Sequence, residues 1–112
     1  MNDLKLIGRI THDLELKTLD DGKKLSHVCI AVPRPYKDQE GKYETDFINL
    51  TVWNSIAENM CNYCKKGDIV GISGRIEPNK ANELQISAQR VSFISSKDRV
   101  QKEIEKTDNY ER

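Results

Sequence analysis

The sequence predicts an all-β fold, a five-stranded Greek-key barrel closed on itself with one helix between the third and fourth strands. Three observations predict it. Five separate runs carry apolar residues at alternate positions, the pattern of strands with one face buried. Turn residues separate the runs: Asp20-Asp21-Gly22, Gly41 and Pro78-Asn79-Lys80-Ala81-Asn82. One stretch, residues 54–66, instead spaces its apolar residues for a helix.

The first strand is expected over residues 4–18, where Leu4, Leu6, Ile10, Leu14 and Leu16 recur at even spacing. Gly8 interrupts this run, as a bend does where one long strand must serve two sheets. The second strand runs from about Lys24 to Val32 with Val28, Ile30 and Val32 on one face, and Pro33 and Pro35 end it. The third spans Tyr43 to Trp53. Asn54 or Ser55 is expected to cap a helix reaching about Lys66. Its apolar side carries Ile56, Met60 and Tyr63 with Ala57, Cys61 and Cys64. Lys65 and Lys66 complement its C-terminal dipole, and Gly67 stops it. The fourth strand is expected over roughly Asp68–Ile76, and the fifth from Glu83 to about Ile94. Residues 1–95 therefore read as one domain and 96–112 as a charged, mobile tail. Strand, strand, strand, helix, strand, strand is the order of the OB-fold barrel.

Composition excludes more than it assigns. The 112 residues suit a single domain, and 18 basic against 18 acidic residues give no net charge. Any affinity for a polyanion must then come from where charges sit. No apolar run approaches the ~20 residues that span a bilayer, and the polar start Met1-Asn2-Asp3 does not read as a signal peptide, so the expected compartment is cytoplasmic. Three cysteines do not suggest a disulfide framework. Cys61 and Cys64 form a Cys-x-x-Cys pair, but zinc needs two more ligands and only His12 and His27 are available. The pair, like Cys29, reads as small apolar packing. No metal, cofactor or catalytic arrangement is expected, and His27 reads as a partly buried strand residue.

The third strand carries the functional signal. Its even face holds Ile48, Leu50 and Val52, a core face. Its odd face holds Tyr43, Thr45, Phe47, Asn49, Thr51 and Trp53, three aromatics interleaved with small polar residues. Such a face is suited to solvent and to bases: single strands are held by stacking on aromatic rings and by cations that track the phosphates. Phe47 and Trp53 share the face, ~20 Å apart, far enough to serve separate bases. Tyr36 is expected to reach the same surface. Arg9, Arg34, Lys37, Arg75 and Lys80 are the candidate phosphate contacts, with Asn49 and Thr51 as polar contacts between the rings.

These segments together resemble the bacterial single-stranded DNA-binding protein family. The resemblance rests on Asn2, Leu6-Ile7-Gly8-Arg9-Ile10, Asp13-Leu14-Glu15-Leu16, Asp46-Phe47-Ile48-Asn49 with Trp53, Ala57-Glu58-Asn59, Tyr63, Lys66-Gly67 and Gly74-Arg75-Ile76, in the family's order and spacing over about residues 1–94. It implies that Tyr36, Phe47 and Trp53 stack on bases, that the chain is a homotetramer without metal or catalysis, and that it protects single strands in DNA replication, recombination and repair. Three features depart from the family. The hairpin around Pro78–Asn82 is short and keeps only Lys80 of the cations usual there. Leu14 stands where a proline is common. The chain ends Asp108-Asn109-Tyr110-Glu111-Arg112 rather than in an acidic tip that recruits replication and repair proteins. Two other readings remain: a short primosomal protein B-like OB protein acting as a dimer, and a protein-binding OB module using Phe47 and Trp53 as anchors.

Overall fold

The computed structural model describes residues 1–96; the expected tail lies, but for Ser96, outside them. Six strands and one helix follow in order: β1 (Leu4–Ile10), β2 (Lys17–Thr18), β3 (Lys24–Lys37), β4 (Tyr43–Trp53), α1 (Asn54–Tyr63), β5 (Ile69–Pro78) and β6 (Leu84–Ser95). The sheet order is β1-β5-β6-β4-β3-β2, and a β1–β3 pairing closes five of the strands into the expected barrel. Neighbours run antiparallel except β4 and β6, which meet in parallel at Thr51 and Ser87.

Inward residues of every barrel strand form one core: Ile10, Val28, Ile30, Leu50, Val52, Val70, Ile72 and Ala88. α1 packs on β3 and β4 and adds Ala57 and Met60 to it. Burying each large aliphatic contributes about 1.5–3 kcal/mol. The chain closes where backbones nearly touch. A Cβ on Gly8 would lie 2.9 Å from the carbonyl oxygen of Ala31, and one on Gly74 would lie 2.3 Å from that of Ser87. Glycine at these points removes the side chain that would hold the strands apart.

Several boundaries differ from expectation. The first strand ends at Ile10, not residue 18. The Thr11 amide and hydroxyl both donate to the Cys29 carbonyl at 3.1 Å, and the Cys29 amide donates to His12 Nε2 at 3.1 Å. Side chains thus replace ladder bonds, and the chain turns away before resuming as β2. Pro33 and Pro35 do not end β3. Beyond Ala31 it pairs with β4 and no longer with β1, so the missing amide donors face no second strand. The pairing there shifts, from Pro33 opposite Thr45 to Lys37 opposite Tyr43.

The helix also starts and stops differently. Trp53 is its N-cap, in extended conformation and without a side-chain cap bond. Asn54 has φ 51°, and its Oδ1 accepts the Lys24 amide instead. α1 ends at Tyr63 because Cys64 is already extended, so Lys65 and Lys66 lie beyond the helix. Gly67 does take a positive φ, 95°, but in the following turn, where its amide donates to the Ile10 carbonyl. Tyr63, expected on the apolar side of the helix, is exposed. Cys64 packs against the core, and burial first, then Asp68 and Cys61, pushes its thiol pKa up. All three cysteines are free.

Candidate nucleic-acid interface

β4 places its odd residues outward because Leu50 and Val52 must face the core. Register with β3 then decides what stands beside each of them. Phe47 lies opposite Ala31, Asn49 opposite Cys29, Thr51 opposite His27 and Trp53 opposite Leu25. Ala31 and Cys29 are too small to cover an aromatic neighbour, so Phe47 remains 68% exposed. Trp53 is half-buried at the end of the strand, where β4 passes into α1. Asn49 is exposed and Thr51 half-buried. The result is an open strip with rings at both ends and polar groups between them.

Beside this strip the start of β6 bounds a groove of about 360 Å³ lined by His12, His27, Asn49, Thr51, Leu84 and Gln85, among others. His27 is exposed, not partly buried as its strand position had suggested. Its alternation with buried Val28 and Ile30 was the signal that could have placed it outward. Gln85 and Leu84 join the site through the parallel β4–β6 contact, which no local sequence pattern announces.

The aromatic arm is less unified. Tyr36 and Tyr43 are both exposed on the β3–β4 hairpin. Lys37 is paired with Tyr43, its ammonium 5.7 Å from the ring centroid. Alternation directs Tyr36 to the opposite side from Lys37, toward Arg34, and Tyr36 contributes to the electrostatics of that guanidinium. Tyr36 stands in the irregular stretch of β3 between Pro33 and Lys37, near Arg34, and not in the regular pairing that sets Ala31 beside Phe47.

The cationic rim is largely engaged by the protein itself. Arg34 donates to Asp46 through Nε and Nη2, the latter at 3.0 Å, and to Glu44 through Nη1 at 2.6 Å. The hydrogen bond with Asp46, then the charges of Asp46 and Glu44, raise the Arg34 pKa further, and the same hydrogen bond holds the Asp46 carboxyl below the usual carboxylate range. Arg9 donates to the Gly67 carbonyl at 2.8 Å. Arg75 lies 3.7 Å from Glu77. Lys80 is exposed in the β5–β6 turn, which Asn79 organises by accepting the Ala81 and Glu83 amides through Oδ1.

A closed five-stranded barrel with a helix between its third and fourth long strands and an uncovered aromatic strip defines an OB-type barrel with an open ligand face. Among solved structures, a deletion mutant of the single-stranded DNA binding protein from Thermus aquaticus superposes with a TM-score of 0.70 over 88% of this chain and 53% of that one, at 18% identity, which shows the shared fold. A model of the single-strand binding protein family matches residues 1–102. The chain belongs to this family. It is 38% identical over 106 residues to "Single-stranded DNA-binding protein B" of Bacillus subtilis, covering 88% of this chain and 94% of that protein. It is 36% identical over 102 residues to a single-stranded DNA-binding protein of Halalkalibacterium halodurans and 44% identical over 77 residues to one of Oceanobacillus iheyensis. These matches take in 84% and 69% of this chain, but only 61% and 48% of the relatives' length.

Proposed function

We propose that this chain binds single-stranded DNA with little sequence preference and without catalysing a reaction, as expected of its family. The observation that carries the reading is the open strip of β4, where Phe47 stands uncovered beside Asn49 and Thr51 and leads to half-buried Trp53. Stacking on such rings contributes about 1–3 kcal/mol per base whatever the base, whereas readout of a sequence needs fixed hydrogen bonds to base edges. Family membership supports a role in protecting single strands during replication, recombination and repair in the bacterial cytoplasm. No described helix is long and apolar enough to cross a membrane.

The same reading includes self-assembly as a tetramer on the β1 edge. From Leu4 to Gly8, β1 pairs with β5 alone, while β3 joins it only at Arg9 and Ile10. Ile7 is 63% exposed beside this edge, and a hollow of about 350 Å³ opens there between Ile7, Ala31, Pro33 and Ile69. Sedimentation equilibrium tests this point: a mass near four chains supports it, and a stable dimer favours the primosomal protein B-like alternative.

Trp53 is the single tryptophan of the chain. Titration with oligo-dT is expected to quench its emission, and the signal belongs to that residue alone. Binding seen by anisotropy of a labelled oligonucleotide with Trp53 emission unchanged overturns its stacking role. No binding at low salt overturns the reading and favours a protein-binding module.

A further inference from the structure

We infer that His27 makes the affinity of this protein for single-stranded DNA rise as pH falls, by supplying a phosphate contact once its imidazole is protonated. The inference rests on the proposed DNA-binding reading and adds a residue to that site.

His27 is on the outward face of β3, exposed, directly across from Thr51. Its Nδ1 lies 3.4 Å from Thr51 Oγ1, a hydroxyl that can donate to or accept from the neutral ring and can accept from the imidazolium. The ring lines the groove of about 360 Å³ that adjoins the aromatic strip. On that side its neighbours are neutral: Asn49 and Thr51 from β4 and Gln85 from β6. A strand lying on Phe47 and Trp53 would pass a groove that holds no permanent cation of its own.

Other charges near this face are already engaged or set to one side. His12, Asp13 and Glu15 from the segment before β2, with Lys17 at the start of β2, share a second hollow with His27, of about 290 Å³. His12 has both ring nitrogens committed. Nε2 accepts the Cys29 amide, so Nδ1 carries the proton and donates to the Asp13 carbonyl at 2.8 Å. A proton on Nε2 would displace the Cys29 amide, which leaves His27 as the imidazole of the pair able to gain charge without breaking a backbone bond. From α1, Glu58 is held by Lys24; from β1, Arg9 is held by the Gly67 carbonyl. An incoming phosphate brings a negative charge to the ring and favours its imidazolium in the complex.

Histidine is the side chain whose ordinary charge change falls between about pH 5 and 8. Binding that raises the proton affinity of the ring must itself strengthen as pH falls through that range and weaken as pH rises. The experiment measures anisotropy of labelled oligo-dT, whose bases do not titrate there, at constant ionic strength from pH 8.5 to 5.5. Affinity is expected to rise about three- to tenfold per subunit engaged. The slope of log affinity against log salt should steepen by about 0.7, one added phosphate contact on a single strand. His27→Gln should lose both changes. His27→Lys, with its fixed charge, should be flat across the range at the level the parent reaches at pH 5.5, which a merely structural role for His27 would not produce. A pH-independent affinity in the parent overturns the inference alone, as does a full pH response in His27→Gln. Absence of binding at every pH overturns it together with the reading beneath it.

Discussion

The two halves of the barrel solve different problems. In the β1–β5–β6 half residue 74 lies so close to the Ser87 backbone that it has no room for a side chain, residue 8 is closed off in the same way where β1 meets Ala31 of β3, and the β5–β6 pairing shifts register at Ile69/Val70 and Ser73/Gly74 to make the curve. In the β3–β4 half the register runs unbroken from Leu25 opposite Trp53 to Pro33 opposite Thr45, and the outward residues are chosen for what they leave uncovered. Closure and ligand contact are therefore assigned to different strands. A substitution in the first half should act on stability, and one in the second on binding.

The largest expected effect lies in the closing half. Gly74→Ala sets a methyl 2.3 Å from the Ser87 carbonyl oxygen and 3.2 Å from the Ala88 Cα, both backbone atoms that cannot swing aside. The cost should be at least about 3 kcal/mol, a large part of a small domain's stability. Gly71→Ala is the matched control, since its Cβ would meet only the end of Ile94 at 3.4 Å, with Ser92 at 3.9 Å. Denaturant unfolding checks both; a Gly74→Ala protein within 1 kcal/mol of its parent would break the assignment of this half to closure.

In the β3–β4 half, Phe47→Ala should behave in the opposite way. The side chain is 68% exposed, so unfolding free energy should change by no more than about 0.5 kcal/mol. Affinity for oligo-dT should fall by about 1–3 kcal/mol, roughly 5- to 150-fold, for the loss of one stacking surface. If stability falls while affinity holds, Phe47 is a packing residue and the comparison between the halves fails at its centre.

What was legible in the sequence follows the same division. Period-two alternation gave the barrel and the two faces of β4, because burial of Ile48, Leu50 and Val52 leaves the odd residues no other direction. The cysteines read as packing, and Cys64 does pack against the core. What alternation does not carry is partner choice. Nothing local in the first run shows that Thr11 and His12 bond Cys29 and end the strand, or that β6 meets β4 in parallel to bring Gln85 beside Thr51. Charge pairing was equally hidden: Arg34 is ten and twelve residues from Glu44 and Asp46, and only the hairpin brings them together. His27 was misread because its strand was judged by its core residues, although the same alternation turns it outward.

The smallest effect tests whether that pairing restrains binding. Arg34 is an expected phosphate contact on the arm, yet its guanidinium is shared between Asp46 and Glu44, so it reaches a phosphate only by giving up partners of its own. Removing one acid leaves the other in place, and Asp46→Asn alone should change little. Asp46→Asn with Glu44→Gln should free Arg34, raise affinity for dT and mixed-sequence oligonucleotides alike, and steepen the salt slope by about 0.7. The pair of changes also leaves 18 bases against 16 acids, so a general charge effect must be separated from a local one. Asp20→Asn with Asp21→Asn makes the same change of net charge in the β2–β3 turn, away from the arm, and should leave the slope nearly unaltered. The pH course adds a second check. The Asp46 pKa is depressed by its bond with Arg34, so the pair is present above the ordinary carboxylate range and is lost only as pH falls through the depressed value. Between pH 8.5 and 5.5 the difference between parent and double variant should stay constant. A difference that disappears within that window would mean the Arg34 cluster opens far more readily than its geometry implies, and a control variant with the same slope change would reduce the effect to net charge alone.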